Sequence, residues 1–330
     1  MENYLKIIGI DISKNSLDLC SITTSNTKEM QYDKIENNVK SISKFLKNLK
    51  QEKVLFCMED TGIYGMLLYQ VFTEKGIDFS VVPSIQIKRS KGLQRGKSDK
   101  IDARDIAKYA LLHLADLKLY ELPELDFQEL RILLAERDRL VKAIKLFGST
   151  AESTIYANKK TCKLLNKSNE KTMKFLKQQL KDIEVSINEL IQNNEQMQKQ
   201  NELLQSIPGV GPQTALLLIA YTRCFTAFDN WRQLACYSGI APFPYQSGIS
   251  VKGRTKVSHF AQKKLKSIIH MSALVAKTHD HELKQYYDKK LADGKHKMSI
   301  MNAIRCKVIA RAFAVINRQT PYVNIQKFAA

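Results

Sequence analysis

The chain has 330 residues, 44% hydrophobic and 26% charged, a balance that suits a folded protein with a substantial core and argues against wholesale disorder. Its longest apolar run, Ala215 to Tyr221, falls far below the roughly 20 residues that cross a bilayer, and Asp11 breaks the first apolar stretch where a secretory signal needs continuity. Fifty-two basic residues against 33 acidic give +19, distributed as +4 over residues 1–120, +1 over 121–205 and +14 over 206–330. A field of that size on the last third attracts a polyanion, and counterion release makes nucleic acid the natural partner. The cysteines, Cys20, Cys57, Cys162, Cys224, Cys236 and Cys306, form no CxxC pair or metal-ligand spacing, which reads as reduced thiols in a cytoplasm.

The first third reads as three consecutive strands (4–13, 17–24 and 28–35), a helix with Val39, Ile42, Phe45, Leu46 and Leu49 on one stripe, a buried strand at 53–58, a helix near 66–74 and a strand at 79–83. Three strands followed by alternating helix and strand is the element order of the ribonuclease H-like fold, a mixed α/β sheet. Residues 84–101 read as polar, basic and irregular, with Gly92 and Gly96 as breakers. Ser98 then caps a helix that carries Asp99 in its first turn and runs to about Leu114.

The middle of the chain is helical, with no glycine between Gly148 and Gly209. From Met173 through Leu176, Leu180, Ile183, Ile187, Leu190, Asn194, Met197 and Asn201 to Leu204, apolar or asparagine positions alternate spacings of three and four, a coiled-coil seam. A coil between subunits fits this pattern, and so does an intramolecular hairpin with the helix around 125–147. The last third opens with SIPGVGPQTA (206–215) and is basic and mostly helical, apart from a Pro/Gly-rich segment at 239–253 read as irregular.

Acidic residues carry the candidate chemistry. Asp11 lies mid-strand among Ile7, Ile8, Ile10 and Ile12, a costly place for a carboxylate unless something binds it or an edge strand exposes it. Glu59 ends the buried strand VLFCM, where α/β folds place ligand groups, with Asp60 as the alternative inward side chain. Asp99 and Asp102 share one helix face and Asp105 repeats the spacing; either a cation sits between them or Lys97, Lys100 and Arg104 offset a solvated face. Oxygen ligands without histidine select Mg²⁺ or Mn²⁺, and two such ions serve phosphodiester cleavage.

In the same order along residues 5–285, GIDISKNSLD, MEDTG, PSIQIKRSKGLQRGKSDKIDARDIA (83–107), SIPGVGPQTA and GIAPFPYQSG (239–248) resemble the DEDD-type transposases of bacterial insertion sequences. That family includes the Piv-type DNA invertases, and its first domain is similar to the RuvC Holliday-junction resolvase. The resemblance implies a metal-binding tetrad of Asp11, Glu59, Asp99 and Asp102, with Asp60 and Asp105 as auxiliaries. It also implies that Ser247, which by sequence alone is an ordinary turn residue before Gly248, is a nucleophile that joins covalently to a DNA phosphate. Tetrad and serine would form one composite site, within or across subunits. The resemblance further implies a structured noncoding RNA that pairs with donor and target DNA, so that base pairing chooses the sequence.

Three parts are expected. Residues 1–145 form a RuvC-like catalytic domain, 146–204 a coiled coil (with 124 as an alternative start of its first helix), and 205–330 a basic domain with a helix-hairpin-helix-like motif. In that motif Gly209 and Gly211 present backbone N–H groups to a phosphate. Lys97 and Arg104 beside the acids, and Lys252, Arg254 and Lys256 after Ser247, are the side chains expected at nucleic acid. Of the aromatics, Phe225, Phe228 and Trp231 sit at core spacing, and Tyr221, Tyr237, Phe243 and Tyr245 are left as stacking candidates. The expected protein is a cytoplasmic, nucleoid-associated DNA recombinase of a mobile element, a dimer or tetramer away from membranes, working through a phosphoserine intermediate. Alternatives are a metal-only endonuclease of the resolvase type, a site-specific invertase, and a nucleic-acid-binding scaffold without activity.

Overall fold

The computed structural model describes residues 4–49, 53–92, 96, 98–148, 158–248 and 251–324, with Val251, Lys252 and Arg254 described by backbone alone. Two compact units divide the chain, one ending at Leu122 and the other starting at Pro123.

In the first unit β1 (Lys6–Ile12), β2 (Ser16–Thr23) and β3 (Asn26–Glu36) pair antiparallel. β4 (Val54–Glu59) and β5 (Phe79–Val82) add in parallel on the other side of β1, giving the order β3-β2-β1-β4-β5 expected from the element pattern. Alternation along β1 sends Ile8, Ile10 and Ile12 into a core with Phe56 and Met58 of β4, covered by α1 (Val39–Asn48) and α2 (Met66–Glu74). The opposite parity, Ile7, Gly9 and Asp11, faces α4 (Asp99–Leu112), whose Ala103 and Ala107 pack with Cys20 and Ile22 of β2. Ser98 caps α4, its hydroxyl accepting from the Ile101 N–H at 3.3 Å. Within the segment read as irregular, residues 84–90 form a short helix, α3 (Ser84–Ser90), held by one buried side chain, Ile87. One apolar anchor in seven residues leaves too little periodicity to read from sequence.

The second unit contains α5 (Leu125–Gly148), α6 (Lys159–Asn193), α7 (Glu195–Gln205), α8 (Pro212–Thr222), α9 (Trp231–Tyr237), α10 (Lys263–His279), α11 (His281–Ala292) and α12 (Lys297–Arg318). Of the two starts weighed for the second part, 146 and 124, the compact unit begins next to the earlier, at Pro123, and Phe127, Leu130 and Leu134 of α5 share a core with Ile187 and Ile191 of α6 and Leu203 and Leu204 of α7. Arg137 pairs with Glu184 at 2.9 Å and Asn194 donates to Asp126 at 2.7 Å, which sets α5 and α6 antiparallel, the intramolecular hairpin of the two arrangements weighed above.

The seam does not continue as one helix to Leu204. Asn194 leaves helical geometry at φ −114°, ψ 103°, and its side chain accepts from the Met197 N–H at 3.0 Å, so it closes α6 and caps α7. Where the sequence reads 239–253 as irregular, two strands pair antiparallel, β6 (Pro242–Ser247) and β7 (Val251–Val257). Every residue of β6 is exposed, so no hydrophobic alternation marks it in the sequence. Among the described residues no helix is long and apolar enough to cross a membrane.

The meeting of α4 with β1 depends on Gly9. A Cβ there would lie 2.8 Å from the Ala107 Cα and closer still to the Ala107 nitrogen and the Ala103 oxygen. Gly9→Ala is expected to cost about 3 kcal/mol, the upper end of ordinary overpacking because the obstacle is backbone. Thermal or denaturant unfolding of the full chain checks this.

Candidate active site

Four sequence-predicted acids fall on one side of the sheet. Asp11 extends β1 on its α4-facing parity. Glu59 ends the neighbouring parallel strand with the same parity as Cys57, which packs on that side. Asp99 and Asp102 occupy the first turn of α4. Partial burial pushes the Asp11 carboxyl up from its ordinary 3.8 to about 6, reinforced by the negative charges of Asp102, Asp99, Glu59 and Asp18. Four carboxylates thus act on a fifth, more than the charge of nearby Lys34 offsets. All-oxygen donors with surplus negative charge suit a hard divalent cation. Among the described residues, no three acidic, histidine or cysteine side chains are drawn close enough to grip a single ion.

Lysines meet part of this charge. Lys91, just past α3, places its Nζ 3.0 Å from Asp102 Oδ1 and 3.1 Å from Asp105 Oδ2. Asp105 is buried and also accepts from Arg104 Nε and Nη2 at 3.2 and 3.1 Å. The extra acid and the basic residue next to it, Asp105 and Arg104, are therefore spent on each other and on Lys91. Asp60 is exposed, and its Oδ1 accepts from the Gly62 N–H at 3.1 Å, turning it into the loop. Lys97 lies outside the described residues.

Two participants carried no flag in the sequence. Asp18 sits directly opposite Asp11 in the β1–β2 register, buried, with Lys34 of β3 2.9 Å from its Oδ2. Its signal was present: the seven-residue separation across a tight turn brings the two aspartates face to face once the register is known. Lys91 had no signal, since nothing in a basic loop distinguishes one lysine from its neighbours.

Ser247 belongs to the second unit, at the end of β6, exposed and paired in register with Val251. Gly248 follows at φ 56°, the left-handed conformation that a turn needs here. Phe243 and Tyr245 stand exposed on the same strand, whereas Phe225 is buried and Tyr221, Phe228 and Trp231 pack against the core. Lys256 is exposed on β7; the side chains of Lys252 and Arg254 lie outside the described residues. In SIPGVGPQTA, Gly211 precedes α8 with open space where a Cβ would stand, but Gly209 has another use. A Cβ on it would come within 2.8 Å of the Ala276 nitrogen and nearer to the Ser272 oxygen, so this glycine lets the turn seat against α10.

Residues 8–147 match a family model described as a transposase, DEDD_Tnp_IS110, and residues 201–288 match a second, described as the transposase IS116/IS110/IS902 family. The chain belongs to this transposase family. A pilin gene-inverting protein of Moraxella lacunata is 25% identical, covering 96% of this chain and 97% of that protein. The transposase for insertion sequence element IS1111A of Coxiella burnetii is 26% identical over 80% of this chain and 79% of that protein. A solved structure, T. thermophilus RuvC in complex with a Holliday junction substrate, aligns with 36% of this chain and 100% of that chain at 13% identity and a TM-score of 0.26. The transposase is accordingly an enzyme that acts on DNA.

The Asp11 shift has a sign that can be measured. Its carboxyl holds a proton more tightly folded than unfolded, so its favourable contribution is complete below the ordinary 3.8 and is lost as pH rises through about 6. In a chelator-containing buffer the transposase is expected to lose stability between about pH 4 and 6 relative to Asp11→Asn, and the variant to melt higher at neutral pH, by about 3 °C per kcal/mol. Melting curves across pH check both.

Proposed function

We propose that the transposase cuts and rejoins DNA strands of a mobile element, with Asp11, Glu59, Asp99 and Asp102 holding Mg²⁺ or Mn²⁺ and Ser247 as the nucleophile. The observation that carries this reading is the Asp11 carboxyl, raised to about 6 amid the charges of Asp102, Asp99, Glu59 and Asp18. A fold keeps such mutual repulsion when a ligand relieves it. When bound, the metal would stabilise charge on the phosphate and on the departing oxygen.

Asp11 and Glu59, on adjacent strands, supply fixed oxygens, while Asp99 and Asp102 approach from a capped helix start. Ser247 Oγ attacks the phosphorus; its bond forms as the bond to the leaving sugar oxygen breaks, the serine proton passes to solvent, and the leaving oxygen takes a proton. The phosphoserine bond keeps the phosphodiester energy, so a second sugar hydroxyl restores the strand without an external energy source. Lys256 and its basic neighbours would steady charge on the phosphate, and Phe243 and Tyr245 offer faces on which unpaired bases stack. The basic last third suits DNA together with a structured guide RNA, and the exposed apolar side chains of α6, Leu164, Leu165, Phe175 and Val185, suit assembly into a dimer or tetramer. The relative named for inverting a pilin gene supports inversion, beside insertion, as an outcome of the same chemistry.

Ser247→Ala is expected to bind DNA normally and to lose both the covalent DNA adduct and strand joining, by on the order of 10⁴-fold or more. Asp102→Asn, and chelation of the metal in the parent protein, should do the same. Gel detection of protein–DNA adducts with the element's end sequences tests this; cutting by Ser247→Ala at the parent rate would leave a metal-only nuclease instead.

A further inference from the structure

Helix α12 carries two arginines six positions apart, Arg305 buried and Arg311 partly buried, and the fold treats them differently. Arg311 is neutralised: its Nη1 donates to Asp280 at 2.9 Å and its Nη2 to Glu282 at 2.7 Å. Arg305 is 7% exposed and meets no carboxylate among the described residues. Its Nε and Nη2 both reach His270 Nδ1, at 3.2 and 2.8 Å, and its Nη1 donates to Asn302 Oδ1 at 3.2 Å. Arginine has no lone pair to give, so His270 Nδ1 accepts and the ring is neutral with its proton on Nε2. Burial lowers the proton affinity of both groups, offset at Arg305 only in part by the neighbouring Cys306 thiol.

A buried cation on two neutral acceptors is costly unless an anion completes it. Three of the five guanidinium N–H groups are used, leaving one on each Nη. Arg305 lines a cavity of about 670 Å³ at the root of the β6–β7 hairpin, together with Lys256, His259, Ser299 and Asn302. The amino end of α12, capped at Met298 by the His296 ring, contributes Ser299 and a favourable dipole to the same space. Asn302 also donates to the Ile240 carbonyl just ahead of the hairpin, which ties the guanidinium's support to the hairpin's base.

We propose that this cavity is a phosphate-binding site, with Arg305 gripping the group through its two spare N–H donors and Lys256, His259 and Ser299 around the mouth. The planar guanidinium matches two phosphate oxygens at once. The anion is either a backbone phosphate of a nucleic-acid strand or a free phosphate. The strand source rests on the recombinase reading; the site itself does not.

The test uses the full-length protein and needs no catalysis. Adding inorganic phosphate or pyrophosphate should raise the melting temperature above that in chloride of equal ionic strength. Arg305→Gln should melt no lower than the parent in phosphate-free buffer, because it removes an uncompensated buried charge, and should lose the phosphate response. Ser299→Glu, an exposed change that puts negative charge at the mouth, should lose it too, and covers the case in which Arg305→Gln fails to fold. With a fluorescent DNA duplex, a strand phosphate predicts about tenfold weaker binding by Arg305→Gln and a salt slope smaller by about 1. Loss of the phosphate response with an unchanged slope identifies a free phosphate as the occupant. A parent protein indifferent to phosphate, or variants that respond as the parent does, would overturn the site, whatever Ser247→Ala does to strand joining.

Discussion

The close approach of α4 to β1 is the constraint on which the rest of the first unit depends. Gly9 offers no side chain, Ala103 and Ala107 offer one carbon each, and the helix settles almost onto the strand backbone. The apolar area gained is small, so the contact contributes less through burial than through position. It brings the first turn of α4 to the end of β1, where Asp99 and Asp102 act on Asp11. A larger residue at any of the three positions would lift the helix and weaken that coupling as the carboxylates moved apart.

Most of this unit is legible in the sequence because its signals are local. Alternation gives β1 and β2, the stripe from Val39 to Leu49 gives α1, and Ser98 marks the start of α4. Parity also explains why Asp11 and Glu59 could be singled out: each follows buried residues of its strand on the side the helix covers. What escaped is what only tertiary structure determines. Asp18 matters through strand register, Lys91 through the path of a loop, and the Arg104–Asp105 pair through a rotamer choice.

In the second unit the misread elements share a different cause. Strand β6 has no buried residue, so the prolines and glycines of its segment outweighed any strand signal. Asn194 continued the spacing of the seam yet ends the helix, because an asparagine that can cap the next turn competes with the helix interior. Gly209 sits in a motif whose glycines suggest phosphate contact, while its own missing side chain is accounted for by α10. A spacing rule reports which residues share a line, not which partner they meet.

Lys91 gives the cluster of acids a resident counter-charge. Its ammonium group already touches Asp102, so an ion arriving at that oxygen would enter by exchange and not by simple addition. Affinity would then reflect the difference between two cations. Because Lys91 directly follows α3, such an exchange would also loosen the tie between the end of that helix and the first turns of α4.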